Sequence, residues 1–314
     1  MDISFEGDNE LSKSDSRTPS QNPLTFGAFF ECNPEITKSN KESSDKKRII
    51  FLGIPLESLE HHIFSNRPGS DMAPYILSKY LRNCKYPISA HQSSKIEVVS
   101  LLDYKNKDHL SLCTENHLSD PKSVVNSVFQ EFVSYDRQHQ KPSQGISISG
   151  SMNYLLDLLD CFTSSKLLVV TDVLIISPFI HALRPNCDKI PYHQVGVDVK
   201  FNLGQIKTED DFILEYDLEQ GIQKTIDYIN EFFEKRETVS VMMDCQTFAS
   251  HLMPGVPTPF PFGVSSTDSC LLIKTLQRHS RKIRLFGICG FNPAIEERRS
   301  VSFLIDFLWK VFFN

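Results

Sequence analysis

VSVMMDCQTFASHLMPGVPTPFPFGVSSTDSCLLIKTLQ, Val239 to Gln277, brings three kinds of element into one stretch. Val239 to Met243 is an uninterrupted apolar run closed by Asp244, the pattern of a buried parallel strand that delivers a carboxylate to the sheet edge. Pro254, Pro257, Pro259 and Pro261, with Gly255 and Gly263, then forbid regular structure and predict a stiff loop. Ser265 stands three residues before Asp268, a capping-box spacing, ahead of the apolar pattern Leu271, Leu272, Leu276. Strand, carboxylate, rigid loop and capped helix is how an open α/β sheet builds a site at the carboxyl ends of its strands.

The rest of the chain supplies the sheet. Apolar runs at Arg48–Ile54, Ile96–Leu102, Gly145–Ser149, Leu167–Thr171, His193–Phe201 and Ile283–Cys289 read as strands. Between them lie amphipathic helical patterns at Ile76–Leu81, Val124–Val133, the segment after Gly150, and Asp217–Phe233. Another helix, Val301–Val311, closes the chain. This alternation predicts a three-layer α/β/α sandwich on a mainly parallel sheet, in one domain from 47 to 314. Residues 1–46 are polar apart from Leu24–Phe30 and read as a mostly disordered tail.

Bulk properties narrow the partners. A net charge of −6 with no basic stripe argues against nucleic acid or an anionic membrane. The longest apolar stretch, Leu167–Ile180, falls short of the ~20 residues a membrane span needs and contains Asp172. Eight cysteines without a C-x-x-C pair read as free thiols, and the acidic, polar start is unlike a targeting peptide, so a cytoplasmic location is expected.

The organising stretch resembles the ureohydrolases, the family of arginases, agmatinases and formimidoylglutamases, and looks most like the last of these. The resemblance rests on Asp244, Pro254, Gly255, Pro259 and Gly263 at the family's spacing. Further support comes from Arg67, Pro68, Gly69 and Pro74 before the first helix, and from Asn292 and Pro293 after the last strand. It implies an arginase-like fold and a site in which two manganese ions activate a hydroxide against a guanidino or formimino carbon. The six ligand positions it implies fall on Met152, Asp172, Leu174, Ile176, Asp244 and Gln246, with the family's D-A-H-x-D motif placed on residues 172–176. Only Asp172 and Asp244 are then metal ligands, and Gly290 replaces a substrate-side glutamate. Both carboxylates are expected at carboxyl ends of neighbouring strands, opening into one cleft. On this register, histidine at 152 and 174 and aspartate at 176 and 246 would restore metal binding.

Thioether, alkyl and amide side chains are poor donors to a hard dication. The expectation is therefore a pseudoenzyme with no cofactor, or manganese only if the site functions. Its role would be that of a structural or regulatory subunit, either a homo-oligomer or a hetero-oligomer with a related ureohydrolase, associating through Phe307, Trp309 and Phe312 of the final helix. Two alternatives remain open: an active C–N hydrolase with a site rebuilt from His181, His193 and His251, and a module that binds a small ligand without turnover. Cys245 beside Asp244 reads as a packing residue rather than a nucleophile.

Overall fold

The structure is a computed structural model that describes residues 47–56, 69–86, 96–101, 121–137, 142–165, 172–179, 192–197, 213–215, 222–261 and 263–314. The polar tail, Arg67, Pro68, the 167–171 run and His181 lie outside the described residues.

Among the described residues eight strands join one sheet: β1 (Lys47–Ile54), β2 (Ile96–Leu101), β3 (Gln144–Ser149), β4 (Asp172–Ile176), β5 (Tyr192–Val197), β6 (Ile213–Glu215), β7 (Val239–Asp244) and β8 (Ile283–Cys289). Their order is β2-β1-β3-β8-β7-β4-β5-β6, and every pairing is parallel. The central strands read as continuous apolar runs because both faces are covered. Along β7, Val239, Val241 and Met243 face one layer and Met242 the other, following the two-residue period of a strand.

The first layer is built by α1 (Ala73–Arg82), α4 (Gln223–Glu234), α5 (Ser266–His279) and α6 (Arg298–Phe312). The second is built by α2 (Pro121–Asp136) and α3 (Met152–Ser164). This is the expected three-layer architecture. The capping box at α5 forms as read: Asp268 N–H donates to Ser265 Oγ at 3.2 Å, and the Ser265 hydroxyl donates to the Asp268 carboxylate at 2.8 Å.

Three sequence expectations are corrected. Asp172, read as the end of a strand at 167–171, instead lies in β4 (Asp172–Ile176), opposite Val239, with Ile176 opposite Met243. The apolar letters continue past Asp172, and it is this second half that pairs with β7. The three-residue strand β6 was not anticipated, being too short to show a period. Finally, α6 is not an open apolar face: Phe307, Trp309 and Phe312 are buried in the core of their own chain. Phe307 packs on Phe248 and Phe286, while Trp309 stacks on Tyr86 and Phe313.

Candidate functional site at the carboxyl ends of the central strands

The carboxyl ends of β3, β8, β7 and β4 lie side by side, and the loops leaving them meet above Asp244. Asp244 is the last residue of β7 and caps a single 3-10 turn, Cys245–Thr247. Its carboxylate is 3% exposed, so every oxygen lone pair left without a donor would carry a desolvation cost. Neutral donors converge on it. The Gln246 backbone N–H donates to Oδ1 at 2.9 Å, the Ser177 hydroxyl donates to Oδ2 at 3.2 Å, and the Gln246 side-chain amide lies 3.4 and 3.5 Å from the two oxygens.

The same glutamine reaches the proline-rich loop. Its Oε1 accepts the Thr258 N–H at 3.2 Å, so one amide joins the carboxylate on one side to the loop on the other. The Thr247 hydroxyl donates to the Ile176 carbonyl at 3.2 Å and fixes the end of β4 to the turn after β7. Beyond β4, Ser177 Oγ accepts the Phe179 N–H, and the Phe179 ring packs edge-on against Phe260 of the loop at 5.7 Å. Gln194 of β5 donates to the Phe179 carbonyl.

Gly290, the residue after β8, has φ +77°, the left-handed region that only glycine enters at low cost. A Cβ there would sit 2.5 Å from Asp244 Oδ1. The Asp244 carboxylate thus fills the space from which a longer side chain at 290 would have to start.

Asp172 is not part of this site. It lies at the amino end of β4, opposite Val239, five residues short of Asp244 in the register, about 16 Å at the rise of a strand. There it forms an ion pair with Arg236 at 2.8 Å. The Arg236 guanidinium also donates to His193 Nε2 at 2.8 Å and stacks over Phe232 at 4.1 Å, while His193 Nδ1 contacts the Tyr228 hydroxyl. Burial, and next the Arg236 charge, hold the His193 pKa below its ordinary value, with Asp172 opposing. Asp172 and Asp244 therefore do not open into one cleft, and the placement of D-A-H-x-D on residues 172–176 is overturned.

The residue that follows β4 and faces Asp244 is Ser177, so the motif's register begins there: Ser177, Pro178, Phe179, Ile180, His181, of which the last two lie outside the described residues. Sequence reasoning missed Ser177 and Phe179 because the only acidic letter in the run drew the motif five residues too early. The S-P-F break, where proline ends the strand pattern, was the available signal.

Other candidates fall elsewhere. Met152, at the first position of α3, is buried in the layer that α2 and α3 build. His251 is exposed and contacts the Ser266 hydroxyl. The Cys245 and Cys289 thiols are fully buried and pushed well above their ordinary pKa, first by burial and then by the Asp244 charge, so neither supplies a thiolate. Among the described residues no group of three or more His, Cys, Asp or Glu is placed to hold a metal ion.

Among the described residues, the side chains that meet Asp244 or stand beside it are a hydroxyl that donates to the carboxylate, a phenyl ring and an amide turned N–H first toward Asp244, none of them a hard anionic or imidazole donor to a manganese ion.

Comparisons with known proteins agree with this frame. Residues 207–313 match the Arginase family. A formimidoylglutamase of Geobacillus thermodenitrificans is 28% identical over 88 residues, covering 28% of this chain and 27% of that relative's length. Among solved structures, Trypanosoma cruzi formiminoglutamase with Mn²⁺ superposes with a TM-score of 0.67 at 12% identity, covering 93% of this chain and 98% of the other. Bacillus subtilis arginase gives 0.62 at 13% identity, over 86% and 99%.

Proposed function

We propose that this chain is a non-catalytic member of the arginase family that acts as a structural or regulatory subunit, alone or with a related ureohydrolase. The observation that carries the reading is the environment of Asp244 among the described residues: a buried carboxylate that accepts from a hydroxyl, a backbone N–H and a side-chain amide. Metal-assisted hydrolysis in this family requires two dications sharing anionic ligands, so that a bound water can ionise near neutral pH. Water without such assistance has a pKa of about 15.7. The neighbours of Asp244 instead supply hydrogen-bond donors, which compete with a cation for the same oxygens.

Phe307, Trp309 and Phe312 are spent on the chain's own core, so association must use another surface.

The test combines metal content with turnover. Protein from manganese-supplemented cells is expected to carry no stoichiometric Mn²⁺. It is expected to release neither formamide from formiminoglutamate nor urea from arginine or agmatine above an Asp244→Ala control. Co-expression with an active ureohydrolase is expected to give a mixed assembly with altered activity. Two Mn²⁺ per unmodified chain, or metal-dependent turnover, would overturn the proposal.

A further inference from the structure

We infer that Asp244 is the anchor of the closed proline-rich loop, and that Gly290 is the residue that makes room for this anchor. The inference rests on the non-catalytic reading above and adds a role for the same carboxylate. Three separate segments end on Asp244. The β4 exit is held through Ser177, the 3-10 turn through the Gln246 backbone, and the loop through the Gln246 side chain, whose Oε1 receives the Thr258 N–H. Buried charge makes this arrangement directional: withdrawing any donor leaves part of an ionised group in a dry environment.

The orientation of the Gln246 amide follows from the same logic. Its NH₂ group must face the carboxylate, which leaves its carbonyl free for the loop N–H. An aspartate at 246 would keep an acceptor but remove the donor, setting two carboxylates side by side. At 290 the constraint is steric and conformational at once: any Cβ meets Oδ1 at 2.5 Å, on a backbone at φ +77°. A glutamate at 290, the family's letter there, therefore displaces the anchor rather than completing a metal site.

Hydrogen–deuterium exchange of the 245–264 segment, with and without MnCl₂, separates the roles. In Gln246→Ala, which leaves the strands intact, loop amides including Thr258 are expected to exchange about tenfold faster, the effect of one lost hydrogen bond. Gly290→Ala is expected to speed the same amides and lower the melting temperature by about 5 °C. Mn²⁺ is expected to change none of these. Wild-type exchange rates in both variants would overturn the anchor while leaving the non-catalytic reading intact. A wild-type loop that Mn²⁺ slows, with the effect abolished by Asp244→Asn, would overturn both.

Discussion

The two ends of the sheet each bury an aspartate and treat it in opposite ways. At the carboxyl end, the donors to Asp244 among the described residues are neutral, and through them it fastens loops together. At the amino end, Asp172 faces a full positive charge on Arg236, which in turn holds His193 and, through it, Tyr228. A neutral ring of donors can share a carboxylate among segments that the chain must bring together. An ion pair ties it to a single partner and fails as a unit when that partner is lost. The difference teaches that two acidic letters in similar apolar runs are not equivalent, because one of them joins loops and the other is half of a salt bridge.

The sharpest way to break this comparison is to test where β4 ends. Ile176→Asp puts a carboxylate on the face of β4 that joins the core of the first layer, beside Met243. A cost of about 4 kcal/mol or more is expected, with no Mn²⁺-dependent recovery. Were the motif to lie at 172–176, that variant would instead gain metal affinity, which titration calorimetry reads directly. At the other end, Arg236→Ala strands Asp172 without its cation, and urea denaturation is expected to show a loss of about 3 kcal/mol. Ser177→Ala removes one of several donors to Asp244, and the same measurement should give about 1 kcal/mol.

Much of the frame was legible because its signals are local. The apolar run of β7, the Ser265–Asp268 cap and the Ile283–Cys289 strand all stand where the pattern put them. Even some family-like letters have a plain packing reason. Gly255 accepts from the Asn292 N–H at 2.7 Å and donates to Ser300 at 2.9 Å, and a side chain on it would strike the Glu296 carbonyl. Gly69 sits against Asn292 and Ala294. These letters hold the loops to one another through backbone hydrogen bonds and close approach, which is why the frame can be recognised from them.

The site was less legible because it depends on register. A stretch such as LLVVTDVLII offers two strands of suitable length, and period alone does not say which half pairs with β7. The buried final helix was misread for a related reason: apolar letters at a chain end look the same whether they cover the chain's own core or seek a partner.

The smallest expected effect is a pH dependence that comes from two histidines at the amino end of the sheet. His193 has its pKa held below the ordinary value by burial and by Arg236, and His279, stacked on Phe233, has its own lowered by burial and by Lys282 and Arg278. Both are therefore neutral in the fold at a pH where the unfolded chain has begun to bind a proton. Above about pH 6.5, the ordinary histidine value, neither state is charged and the two groups contribute no slope. As pH falls through that value, the unfolded chain takes up protons first, so stability declines until the folded pKa values are passed. Urea midpoints measured between pH 7.5 and 5.5, above the range where most carboxylates titrate, should fall with pH. His193→Gln, which keeps an acceptor for Arg236, should flatten part of that slope and His279→Gln a further part. Asp244→Asn, at the opposite end of the sheet, should leave the slope as it is. An unchanged slope in His193→Gln, or a slope abolished by Asp244→Asn, would place the proton-sensitive group at the wrong end.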